Sequence, residues 1–194
     1  MLTQLSTVKT RLRLNSFDVD DDTLLTGLIK HASGRFALQC NRFFDRAVGT
    51  TFEFRADQMD LPLDRYPIES VSAFHLKSSE TNGWIAQPDI VYLLSPEKCL
   101  VELASPLGTS RQKGRITFTG GYVLPGATVG AGQAPLPDEL EQSCIDQVVC
   151  WYANRHRLGL VSTSGEGGSV QQLKTLDLLP HVTAVLRKYE RWVN

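Results

Sequence analysis

The apolar pattern of this 194-residue chain changes period twice, and those changes limit the folds open to it. From Asp22 to Phe44, Leu25, Leu28, Ile29, Ala32, Phe36, Cys40 and Phe43 recur at steps of three and four, one continuous stripe on a helix. From Thr51 to Tyr122 the period falls to two. Phe52 and Phe54 alternate with Glu53 and Arg55, Val71, Ala73 and His75 with Ser72, Phe74 and Leu76, and Ile116 and Phe118 with Thr117 and Thr119. After Pro137 the helical period returns. Helical and strand patterns grouped in blocks predict an α+β protein rather than an alternating α/β one. The expectation is a helical bundle, with long central helices and a C-terminal helix, carrying an inserted antiparallel β-sheet or small barrel. Residues 1–50 and 123–194 would form the helical core with a C-terminal arm, and 51–122 the inserted β layer.

Local signals fill in the order. Leu5, Val8, Leu12 and Leu14 predict a short opening helix with Ser6 as its N-cap. The acidic run Asp18, Asp20, Asp21 and Asp22 suits the positive end of the long helix, and Gly49 is the expected stop beyond it. In the period-two block, Ile90 to Leu94 reads as a more buried strand and Leu100, Val101 and Leu103 as another. Asn82-Gly83, Ser95-Pro96 and the polar run from Arg111 to Gly114 mark turns. Connections this short leave no room for parallel crossovers, so about five antiparallel strands are expected. Gly120 to Pro137 has no period and reads as a loop or arm.

Pro137 then fits a helix start, followed by Asp138, Glu139 and Glu141. Leu140, Cys144, Ile145, Val148, Val149, Trp151 and Tyr152 cover an arc wide enough for burial on two sides. Arg155, His156 and Arg157 bring positive charge to its end before Gly159. Leu160 to Gln172, containing SGEGGS, is expected to be a mobile connection. A last helix from Pro180 carries Val182, Val185, Leu186, Tyr189, Trp192 and Val193 on one face and Arg187, Lys188, Glu190 and Arg191 on the other. That apolar face either closes the chain's own core or is an interface element on a flexible tether.

Composition excludes several classes of function. Lys+Arg 20 against Asp+Glu 21, a net charge of −1, leaves no electrostatic footprint for gripping nucleic acid or anionic lipid. The first residues lack a signal peptide's apolar core, and no window is apolar for long enough to predict a membrane helix. Cys40, Cys99, Cys144 and Cys150 fall in apolar patterns and read as free buried thiols in a reducing compartment. An EF-hand counted from Asp18 puts Thr23 where glycine is required and Ile29 where a glutamate should chelate, so it fails. His31, His75, His156 and His181 share no metal-like spacing with cysteines or acids. Neither Gly120-Gly121 nor Gly165, Gly167 and Gly168 sits in a phosphate loop or dinucleotide fingerprint. No catalytic, cofactor-binding or metal residue is expected, although an enzyme with a dispersed active site stays open as an alternative.

Five stretches in order resemble the head–tail connector (adaptor) proteins of tailed bacteriophages, in the longer variety with a β insertion. LSTVKTRLRL followed by DVDDDTLLTGLIKHASGRFALQCNR is similar to that family's short helix, acidic loop and long helix. LDRYPIESVSAF resembles the start of its strands after an aromatic-proline turn. GRITFTGGYVLPG with LPDELEQSCIDQVVCWYANR resembles its passage from sheet to helix, and LLPHVTAVLRKYERW its closing helix. The resemblance implies a dodecameric ring under the portal at the capsid vertex, made in the host cytoplasm and placed in the neck of the virion. Genomic DNA would pass through the lumen without specific binding, and a stopper or tail protein would dock below. It also implies that the C-terminal face, Val182, Val185, Leu186, Tyr189, Trp192 and Val193, docks the portal. A neighbouring stopper or tail-completion protein is the alternative within the same setting.

Overall fold

The structure is a computed structural model that describes residues 1–15, 17, 19–155, 162–164, 170–172 and 177–191. The chain forms two compact units. One comprises Met1–Cys40 and Leu136–Glu190; the other comprises Asn41–Pro135 and the residues from Arg191 onward.

The first unit holds α1 (Leu5–Leu12), α2 (Asp22–Gln39), α3 (Asp138–Ala153) and α4 (Pro180–Arg187). The stripe read from the sequence is the buried face of α2: Leu25, Ile29, Ala32 and Phe36 are fully covered. The wide arc on α3 is buried too, at Leu140, Cys144, Ile145, Val148, Trp151 and Tyr152, because α3 packs against α1, α2 and α4. Polar groups tie the ends. The Lys9 ammonium lies 2.8 Å from Asp22 in the first turn of α2. The Leu179 N–H donates to the buried Gln147 Oε1 at 2.8 Å, which satisfies a donor at the start of α4. Strands β10 (Ser162–Ser164) and β11 (Val170–Gln172) pair antiparallel within the stretch expected to be a mobile connection, and residues 165–169 of its SGEGGS run lie outside the described residues.

The second unit is built from β1 (Ala47–Arg55), β2 (Asp60–Pro62), β3 (Ile68–Lys77), β4 (Ile85–Gln87), β5 (Tyr92–Leu94), β6 (Leu100–Leu103), β7 (Lys113–Gly120), β8 (Tyr122–Val123) and β9 (Ala134–Pro135). A four-stranded sheet runs β1-β7-β3-β4 and a three-stranded one β2-β6-β5, both antiparallel. Strict alternation in β7 buries Gly114, Ile116, Phe118 and Gly120 on one face. Phe54, Leu61, Leu63, Ile68, Phe74, Val101, Leu103, Ile116 and Phe118 make the core between the sheets. Gly114 lies opposite Phe54, whose ring would come within 2.5 Å of any added Cβ, so the glycine makes room for the aromatic ring. Near the start of the unit the buried Arg42 guanidinium stacks on Tyr66, 3.2 Å from the ring centroid, and donates to the Tyr66 carbonyl.

Several expectations are corrected. The fold is α+β, but it is sheet-rich rather than a bundle on long central helices: the helices span 8, 18, 16 and 8 residues. The reason is the separate core of the sheet unit, which takes up apolar residues that a larger bundle would need. Helix α2 ends at Gln39, since Asn41 takes a positive φ of 49° and Arg42 to Phe44 join the sheet unit. Gly49 is therefore not a helix stop; it sits inside β1 at φ 63°, where the pairing with β7 shifts register. The run Ile90 to Leu94 is no buried strand. Its paired part, β5, is an edge strand of the three-stranded sheet, and alternation turns Val91 and Leu93 outward, each 68% exposed, while Ile90, Tyr92 and Leu94 pack against the core. The patternless stretch after Gly120 holds β8 and β9, which pair in parallel across the loop between them.

Candidate functional site

The face of α4 singled out by the sequence divides in the structure. Val182 and Leu186 are buried in the helical unit, and the Leu186 carbonyl accepts the Cys40 thiol at 3.4 Å. Val185 and Tyr189 are half-buried at the rim of that core. The Tyr189 hydroxyl donates to Glu139 Oε1, and the Lys188 ammonium lies 2.9 Å from Oε2. Those two contacts, the Tyr189 hydrogen bond foremost, hold the Glu139 carboxyl below the usual carboxylate range. Trp192 and Val193 lie outside the described residues, as do His156, Arg157, Gly159 and the glycines at 165, 167 and 168.

Sequence reasoning missed a surface on the sheet unit. The order β1-β7-β3-β4 leaves β1 and β4 as edges. Strand β4 has three residues and is followed at once by Pro88, which blunts it against further pairing. Strand β1 offers nine residues and, among the described residues, no strand pairs with its outer side. Beside it lies a cleft of about 430 Å³ whose walls include Phe52, Phe54, Leu61, Tyr66, Leu100 and Arg191. Arg191 donates from Nη1 to the Pro62 carbonyl at 3.4 Å, and its guanidinium lies 5.7 Å from the Phe52 ring centroid. Its Nε is buried with no hydrogen-bond partner among the described residues.

The rest of the surface is mixed. Arg115 pairs with Glu53 across the strands at 2.7 Å and stacks 3.9 Å from the Trp84 ring centroid, a contact that orders the exposed side of the sheet. Asp64 is half-buried with Oδ1 lacking a hydrogen-bond partner among the described residues. Burial pushes its carboxyl up, against the pull of Arg65 and Arg191. The loop after β8 is exposed from Gly126 to Gly132, and no charged residue occurs between Arg115 and Asp138. Among the described residues no group of three or more His, Cys, Asp or Glu side chains could hold a metal ion. Burial pushes the Cys144 thiol up to about 12, which keeps it protonated and a poor nucleophile.

No protein-family model matches the chain, and no curated protein matches it either. Solved structures do match, over nearly its whole length. One is the neck of an empty gene transfer agent (GTA) particle computed with C6 symmetry, with a TM-score of 0.60 at 15% identity, covering 100% of this chain and 91% of that one. A second is the neck of the native particle with C12 symmetry, with a TM-score of 0.54 at 15% identity, covering 98% and 90%. A third, from the virion of the native particle, has a TM-score of 0.57 at 17% identity, covering 100% and 91%. This chain shares their fold.

Proposed function

We propose that this chain is a structural protein of a virion neck, a head–tail connector (adaptor) subunit. It assembles as a homo-oligomeric ring, a dodecamer in our reading, beneath the portal at the capsid vertex. The genome passes through the lumen, and a stopper or tail protein docks on the far side. The observation that carries this reading is the likeness, over essentially the full chain, to neck chains of gene transfer agent particles with C6 and C12 symmetry. An open edge strand and an apolar cleft on one unit suit a subunit whose partners are other copies of itself, repeated head to tail until the ring closes. The role needs no catalysis, cofactor or metal. The helical residues form the ring's core and the sheet unit is a separate β layer, produced in the host cytoplasm with the rest of the chain.

Portal docking belongs in this proposal to the C-terminal segment. Val182 and Leu186 anchor α4 in its own subunit, and Val185, Tyr189, Trp192 and Val193 supply the contact surface. Aromatic anchors carry much of the energy at such surfaces, often about 2 kcal/mol or more each. Native mass measurement of the purified protein, alone and mixed with portal, tests the whole reading. A closed ring that joins portal is expected. A monomer at all concentrations that ignores portal overturns the proposal, and a ring that binds a tail-side protein but never portal moves the chain to the stopper position.

A further inference from the structure

Two features of the sheet unit have no partner within the described chain, and they are complementary. The first is the outer edge of β1, with its row of backbone donors and acceptors over an apolar cleft. Long unprotected edges are a hazard in an isolated protein, because they template pairing with any extended chain. Here the opposite edge, β4, is short and closed by Pro88, so the exposure of β1 is one-sided. A one-sided edge suits a heterologous contact, in which a subunit receives on one surface and donates from another.

The second feature is the loop between β8 and β9. From Gly126 to Gly132 its sequence is GATVGAG, every residue is exposed, and Val129 at 44% is its one large apolar side chain. It lies in a run without a single charge, from Ile116 to Pro137, in a chain that is 21% charged. Depletion of charge is what distinguishes the centre of an interface from ordinary surface. Side chains no larger than threonine flank Val129, so the loop's backbone can approach another backbone closely. Being uncharged, it also brings no unpaired ion into a cleft whose walls already hold Glu53, Asp60 and Arg191.

We propose that the Gly126–Gly132 loop of one copy seats in the β1 cleft of the next, lying along the strand edge with Val129 between Phe52 and Leu100. The contact is β-strand addition between subunits: backbone hydrogen bonds supply the attachment and the apolar pocket supplies the register. This rests on the ring reading above and specifies how its copies join.

Cys99 lines the cleft and is partly accessible, which gives a direct test. A Val129→Cys variant of the full chain, oxidised under mild conditions, should form a ladder of covalent multimers on a non-reducing gel. Adding Cys99→Ser to it should abolish the ladder. In parallel, Val129→Asp should shift native mass from ring to the single-chain 21.5 kDa, with an unchanged far-ultraviolet spectrum. A mixture of Val129→Asp, which keeps a free cleft, with a cleft-filling Leu100→Arg variant should restore dimers that neither forms alone. No ladder and an intact ring for Val129→Asp would overturn the loop-to-cleft contact while leaving the ring reading standing. If the unmutated chain itself forms no ring and no ladder appears, both fall together. A ladder that survives Cys99→Ser places the loop against another surface and also overturns the proposal.

Discussion

Two carboxylates respond to pH in opposite directions because different causes shift them. Burial raises Asp64, so the folded state takes up its proton first, and this residue's contribution to stability falls as pH rises through the window between its unfolded and folded values. Asp64→Asn is therefore expected to raise the melting temperature at pH 7, with the gain vanishing below about pH 4, where the carboxyl is protonated in both states. A lower melting temperature at pH 7 would mean that Arg65 and Arg191 outweigh the cost of burial. Glu139 is lowered by Tyr189 and Lys188, so its contribution is present above the unfolded value and lost as pH falls through the folded one. Glu139→Gln should lower the melting temperature at neutral pH and match the parent in acid. Neither effect was legible in the sequence, since both depend on which distant residues meet. The stripe through Phe36 was legible, because helical spacing alone puts Leu25, Ile29, Ala32 and Phe36 on one face. Phe36→Ala is expected to cost about 3–5 kcal/mol in denaturant titration by leaving a cavity, and Ile145→Ala, also buried, about 2–5. Two variants that melt like the parent would refute the packing of α2 on α3.

At the scale of elements, period and turn chemistry revealed α2, α3 and the alternation in β7, while ends and partners stayed hidden. Phe43 continues the α2 stripe by spacing, yet it leaves the helix and bridges to Arg65, because the sheet unit offers that segment a ladder. The short strands β8, β9, β10 and β11 have two or three residues each, too few to register as a period. On α4 the spacing named one face but could not say what covers it; Val182 and Leu186 are covered by their own unit. Truncation after Leu178 removes both, along with the hydrogen-bond acceptor for the Cys40 thiol, and should lower the melting temperature and increase dye binding to exposed apolar surface. Val185→Asp combined with Trp192→Ala should instead leave the melting temperature close to the parent's and weaken portal binding at least tenfold. A truncated chain as stable as the parent would make α4 a dispensable arm.

For the molecule as a whole, the informative quantity is the near cancellation of charge, a net −1. Basic side chains do not outnumber acidic ones, and several of those described are already committed to ion pairs. Arg46 pairs with Glu69 at 2.8 Å, Arg65 with Asp45 at 2.8 Å, Arg115 with Glu53, Lys188 with Glu139 and Lys9 with Asp22. Each such pair removes a cation that could otherwise displace counterions from a phosphate backbone. A conduit benefits from this, since many lysine or arginine contacts would hold a moving duplex through the salt-dependent term that dominates nucleic-acid affinity. The purified chain, as ring or as single subunit, should bind duplex DNA no more tightly than ordinary non-specific binding, about 10⁻⁴ to 10⁻⁶ M at physiological salt. Competition between unrelated sequences should show no preference. A shallow dependence of affinity on salt should accompany this, because the slope counts phosphates neutralised. A steep slope with nanomolar affinity for one sequence would replace the conduit with a regulator that reads DNA. A steep slope without sequence preference would point to a ring that clamps its genome instead of letting it slide.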